Sequence, residues 1–145
     1  MIKSIPIPTA GVSLGLAALG NLLQPYSPLM KYICGILAAV LLALLLIKML
    51  RYPKLIHADM TGNPILGSVA ATFFMTTMQL CVYIKDSAPF LCETIWLTAV
   101  AAHAILIVWF SKNFMLNLEL KNVFPTFFIA YVGIVVASVT APAFG

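Results

Sequence analysis

Residues 29–50 read LMKYICGILAAVLLALLLIKML, and from Ile36 to Ile47 the run contains no polar side chain. At about 1.5 Å per residue it reaches roughly 33 Å as a helix, enough to cross a hydrocarbon core about 30 Å thick. It is read as a membrane-spanning helix. Lys31 and Lys48 stand near its ends, where long apolar stems let ammonium groups snorkel to the interface. The all-aliphatic interior suits a position facing lipid. The whole chain agrees with this reading, because 63% of its residues are hydrophobic and only 8% charged, against about 25% charged in soluble domains. The net charge of +4 does not point to nucleic acid, since the cations sit between apolar runs, where they set orientation.

Toward the N-terminus lies a shorter run, Pro6 to Leu23, PIPTAGVSLGLAALGNLL. On a helical wheel Thr9, Ser13, Leu16 and Gly20 share one narrow face, and Gly11, Gly15 and Ala18 lie opposite. The Gly11-x-x-x-Gly15 spacing is expected to let two helix backbones approach in lipid. Lys3 followed by an apolar stretch has the outline of a signal peptide, but the prolines, the glycines and four further apolar runs fit a mature helix better.

Toward the C-terminus, Arg51 to Pro64, RYPKLIHADMTGNP, reads as a polar connector with two prolines and a glycine. His57 and Asp59 lie two apart in it with no third partner and are read as solvated. The third run, Ile65 to Ile84, places Ser68, Thr72, Thr76 and Gln79 within one arc of about 80°. Lipid is a poor solvent for that stripe, so it should face water or other helices, either as part of a pathway or bonded to its own and neighbouring helices. The fourth run extends from Pro89 to Phe110. It carries Glu93 near its start and His103 in its interior, about 15 Å apart along the axis and so unable to exchange a proton directly. His103 reads either as a neutral side chain bonded to a neighbouring helix or as a proton-carrying site. Ser111 to Phe124 follows as a connector whose Phe114, Met115 and Leu118 suit a short interfacial turn. From Pro125 a fifth run begins, with Ala130, Gly133, Ala137 and Ala141 on a small-residue face and Thr140 at its edge.

The expected architecture is therefore an all-α integral membrane protein, a single membrane domain over residues 1–145 with five spans at about 8–23, 29–50, 65–84, 89–110 and 126–141. Counted by alternate connections, Lys3, Lys48, Arg51, Lys54, Lys112 and Lys121 fall on one side against Lys31 and Lys85 on the other. That bias predicts a cytoplasmic N-terminus, and the expected location is the plasma (inner) membrane. Cys34, Cys81 and Cys92 form no C-x-x-C or Cys/His cluster, so no metal, cofactor or disulfide framework is expected. No H-E-x-x-H or G-x-S-x-G motif and no clustered acids within a span suggest an enzyme.

A rhythm connects the runs. The first, third and fifth are rich in Gly, Ala, Ser and Thr, the second is Leu-rich, and the fourth carries Trp96, Trp109 and bulky aliphatics. Short links, Gln24 to Pro28 and Lys85 to Ala88, join odd to even runs as hairpins. In this context IPIPTAGVSLGLAALGNLL (5–23), NPILGSVAATFFM (63–75) and VFPTFFIAYVGIVVASVTAPAF (123–144) together resemble the tellurite-resistance and C4-dicarboxylate transporter (TehA-like) family, which is related to the slow-type voltage-dependent anion channels. The resemblance implies a ten-helix fold of five hairpins around a central pore, with odd helices inside, often assembled as a homotrimer. Carried onto this chain, the pore-lining positions are Thr9, Ser13, Leu16 and Gly20 of the first run. From the third run they are Ser68, Thr72, Thr76 and Gln79, and from the fifth Gly133, Ala137 and Thr140.

Members of that family are about twice as long, so the resemblance covers only their first half. The remaining C-terminal helices, and the phenylalanine that occludes the family's pore, have no counterpart here, which points to a truncated sequence. The odd runs carry no acidic residue, whereas proton- or sodium-driven carriers usually place one in the path. The expected function is passage of an anion, such as a C4-dicarboxylate, tellurite, sulfite or a small inorganic anion, through a weakly polar pore. The alternative is a non-transporting membrane subunit whose small-residue faces bind a partner.

Overall fold

The computed structural model describes residues 4–116 and 123–144. All regular structure among them is helical: α1 (Thr9–Leu23), α2 (Pro28–Arg51), α3 (Pro53–Gly62), α4 (Pro64–Val69), α5 (Ala71–Ile84), α6 (Pro89–Phe110), α7 (Phe127–Val132) and α8 (Val135–Thr140). A π-helical turn, Ser111–Met115, continues α6, and a 3₁₀ turn, Ala141–Ala143, follows α8.

Proline sets half of the helix starts. α2, α3, α4 and α6 each begin on one, where its fixed φ suits the first turn and its missing N–H costs no hydrogen bond. Asn63 caps α4 by accepting from the Ile65 amide at 2.9 Å, which satisfies one of the donors left over at a helix start. Lys48 and Arg51 lie in the last turn of α2, where positive charge suits the helix dipole.

Three helical stretches are long and apolar enough to cross a membrane: Pro28–Arg51, Pro64–Ile84 and Pro89–Met115. The first and fifth runs form shorter apolar helices, Thr9–Leu23 and Phe127–Ala143. α1 packs along α2, and α5 along α6, as two hairpins, with α1 and α5 also in contact. The third run is the enclosed one, with 44% of its apolar window buried against 28% and 22% for the second and fourth.

Four expectations need correction. The connector between the second and third runs is mostly helix, α3, because Ile56 and Met60, one turn apart, pack into a cluster with Ile7, Leu106 and Phe110. Tertiary burial outweighs the turn-forming residues, which fall only at its end, Gly62 to Pro64. Lys48 does not snorkel. It is only 3% exposed, and its ammonium donates to the Ile5 carbonyl at 2.6 Å, tying the entry segment to the end of α2. The third run is interrupted at Ala70, between α4 and α5, and the fifth at Gly133 and Ile134, between α7 and α8. Finally, Gly11 and Gly15 meet nothing: a methyl group on either would have no neighbour within 4 Å. The tight face of α1 is the opposite one, with Ala10, Ser13, Ala17 and Gly20 buried.

Past α6, Phe114 meets Phe110 at a tilt with ring centres 5.0 Å apart and meets Trp109 edge-on at 6.0 Å. Phe114 is therefore half-buried against the core cluster rather than part of a free interfacial turn, while Leu118, Glu119 and Lys121 lie outside the described residues. Cys34, Cys81 and Cys92 are buried free thiols.

Candidate functional site

The polar stripe of the third run meets α1 through Thr76 and Gln79, and the run as a whole also packs on α6 and the fifth run. Ser68, Thr72 and Thr76 are buried and Gln79 is half-buried. Ser68 Oγ donates to the Ile65 carbonyl at 2.9 Å, and Thr72 Oγ1 to that of Val69 at 2.7 Å. Thr76 Oγ1 lies 2.7 Å from the Thr72 carbonyl and 3.3 Å from that of Ala10 in α1. A hydroxyl has one proton to give. All three are already committed to backbone oxygens, so presenting one to an anion would first cost a bond worth about 1 kcal/mol net.

Gln79 differs. Its Oε1 accepts from Asn21 Nδ2 of α1 at 2.6 Å, which leaves the two amide protons of Gln79 as donors not spent on a backbone carbonyl. Within the third run this side chain is the best equipped to meet a negative charge. The sequence could not show its partner, because Asn21 and Gln79 lie 58 residues apart.

On α1, two of the four residues expected at a pore, Ser13 and Gly20, pack against α2. Ser13 Oγ donates to the Ala38 carbonyl at 2.7 Å. A methyl group at Gly20 would overlap the Tyr83 hydroxyl and stand 2.9 Å from Cys34 Cβ. Thr9 and Leu16 are half-buried beside them. In the fifth run Ala137 is half-buried, while Thr140 is buried, donating to the Val136 carbonyl at 2.7 Å and accepting from Trp96 Nε1 at 2.8 Å. Gly133 is where the third, fourth and fifth runs converge. A methyl group there would stand 2.6 Å from the Ile129 carbonyl, 2.7 Å from Met75 Sδ and 2.8 Å from His103 Cε1.

His103 is fully buried, and its Nε2 lies 2.9 Å from the Ala130 carbonyl. A carbonyl can only accept, so Nε2 carries the proton; Nδ1 is buried with no partner. Of the two roles open to it from sequence, the bond to a neighbouring helix is the one observed.

Two hollows lie away from this face. An apolar cavity of about 80 Å³ is bounded by Ile7, Ala10, Leu45, Ile56 and Phe73. An open cleft of about 570 Å³ beside the entry segment is bounded by Ile5, Lys48, Leu55 and Asp59. Among the described residues, no three His, Cys, Asp or Glu side chains are grouped to hold a metal ion.

Helical structure throughout the described residues, with three helices long and apolar enough to cross a membrane, defines an all-α protein of the membrane-spanning class. The chain belongs to the voltage-dependent anion channel family, whose model matches residues 4–145. No curated protein and no solved structure matches it. The resemblance read from the three stretches above is to this same family, whose members are anion channels and transporters rather than enzymes.

Proposed function

We propose that this chain forms part of a five-span anion pathway in the plasma membrane, lined by the first, third and fifth runs. The observation that carries the reading is the third run: the most enclosed of the membrane-length helices, polar along one arc and free of ionised groups. Such a path favours a partly dehydrated anion by offering neutral donors in place of water. The cations at the ends of α2 and α6 raise the local anion concentration. Within the stripe, Gln79 supplies N–H donors, and Ser68, Thr72 and Thr76 supply hydroxyls that must turn from their carbonyls. On α1 the open face of Gly11, Gly15 and Ala18 fits a pathway better than Ser13 and Gly20, which are engaged with α2 and Tyr83. Gly133, Ala137 and Thr140 complete the arc from the fifth run. C4-dicarboxylates, tellurite, sulfite and small inorganic anions all suit donors of this kind, and a homotrimer is the assembly we expect.

A second reading, a non-transporting subunit, draws on the hydroxyls being engaged in packing. Reconstitution in liposomes with an anion-flux readout separates the two. Gln79→Leu is expected to reduce flux about tenfold, equivalent to ~1.4 kcal/mol at the barrier, and Thr72→Leu or Thr76→Leu to reduce it without preventing insertion. Absence of flux from the unaltered chain would favour the second reading. Flux unchanged in all three variants would remove the stripe from the pathway.

A further inference from the structure

In a continuous helix the Ile134 amide would donate to the Ala130 carbonyl four residues back. In the fifth run it does not. The backbone bonds across this point run from Gly133 N to the Ile129 carbonyl, from Val136 N to that of Gly133 and from Ala137 N to that of Ile134, and α7 stops at Val132 while α8 starts at Val135. The Ala130 carbonyl left over is the one that His103 of α6 takes, at 2.9 Å. The break thus deprives a buried carbonyl of its backbone donor, and the imidazole N–H supplies the replacement that makes the broken form tolerable.

We infer that His103 is a positioning residue that keeps the fifth run broken at Gly133 and Ile134, so that α7 and α8 stand at the offset an anion pathway needs. This rests on the pathway reading for its consequence, but the mechanical part stands on the geometry alone. Gly133 contributes the room, since any side chain there would meet the imidazole and Met75 Sδ. Nothing ionised competes for the ring. α6 carries only Glu93, ten positions away, and residues 65–84 and 126–144, the third and fifth runs, contain no Asp, Glu, Lys or Arg; their other titratable side chains are Cys81, Tyr83 and Tyr131. Tyr131 is occupied with Ser111 at 2.7 Å, and Tyr83 donates to the Ala17 carbonyl. The Nε2–H bond is therefore the one polar tie His103 makes among the described residues, and an unbroken fifth helix is what forms without it.

The test uses three substitutions with two readouts, amide hydrogen exchange at Ile134 and anion flux in liposomes. His103→Leu removes the donor, so the Ala130 carbonyl passes to Ile134. Exchange at Ile134 should slow, and flux should fall about tenfold, the size of one hydrogen bond. Gln places an amide nitrogen near the position of Nε2 and Asn does not reach it. His103→Gln should therefore keep both the fast exchange and the flux, and His103→Asn should behave as His103→Leu. Should the leucine variant fail to insert, the Gln and Asn pair decides alone. The inference is overturned if Ile134 exchanges at the same rate in His103→Leu as in the unaltered chain, or if Asn serves as well as Gln. An unaltered chain that passes no anion would sink the pathway reading instead, and exchange at Ile134 would still report on the helix break.

Discussion

Tyr83 shows how single side chains fix this bundle in a medium that gives no hydrophobic drive between helices. Its hydroxyl donates to the Ala17 carbonyl at 2.6 Å, its ring fills the space left by Gly20 and Gly35, and Lys31 Nζ sits 5.3 Å from the ring centre. One residue of α5 thereby locks α1 and α2 together. A methyl group at Gly35 would lie 2.5 Å from Tyr83 Cε1 and 2.7 Å from Cδ1, so Gly35→Ala should destabilise by about 1–3 kcal/mol, the usual cost of overpacking. Thermal unfolding in detergent would measure this. Adding Tyr83→Ala should cost less on the Gly35→Ala background than alone, because the two sites share the clash. Gly11→Ala and Gly15→Ala are the controls: with open space around them they should be neutral or gain about 0.5–1 kcal/mol of helix propensity. Equal losses at Gly11 and Gly35 would contradict this packing. From sequence, Gly11 and Gly15 carry the stronger signal and Gly35 none, because spacing reports what a face permits and not what stands against it.

Elements were legible in proportion to how far local pattern alone decided them. α2 and α6 follow from apolar length, and the prolines at Pro28 and Pro89 mark their starts. α3 was hidden because Lys54, His57, Asp59 and Thr61 make it polar; only Ile56 and Met60 repeat at helical spacing, and they matter because a cavity wall waits for them. Ile56→Ala should therefore cost about 2–5 kcal/mol, against about 1 kcal/mol for Asn63→Ala, which removes only the α4 cap. A reversed order in chemical or thermal unfolding would mean that α3 is held by its ends rather than by its buried face. The breaks at Ala70 and Gly133 were out of reach for a related reason. Both sequences read as continuous helix, and in the fifth run the partner that takes the orphaned carbonyl, His103, lies 27 residues away. The candidate site was legible to the same extent. The arc of Ser68, Thr72, Thr76 and Gln79 could be counted off a wheel, but whether its protons were free depended on carbonyls that no wheel displays.

At the scale of the whole molecule the charges separate more sharply than the sequence count suggests. His57 of α3 lies 6.4 Å from Trp109 near the end of α6, so the ends of α2 and α6 meet α3 at one end of the bundle. There Arg51, Lys54 and Lys112 are exposed, while Lys48 is buried on Ile5. At the other end both cations are half-buried and engaged: Lys31 donates to Gln24 Oε1 at 3.0 Å and Lys85 to the Ala143 carbonyl at 3.2 Å. Free positive charge among the described residues is thus concentrated at one end, and the positive-inside rule predicts that this end faces the cytoplasm. The expected outcome is that a cysteine introduced by His57→Cys reacts with a membrane-impermeant maleimide only after cells are permeabilised. One introduced by Ser87→Cys, at the opposite end and exposed, should react in intact cells. The three native thiols are buried and should add little background. Labelling of His57→Cys from outside would invert the topology and place the cations at the outer mouth, where they would draw anions inward from the medium rather than outward from the cell. This labelling pattern therefore decides the direction in which the charge asymmetry works, independently of which anion is carried.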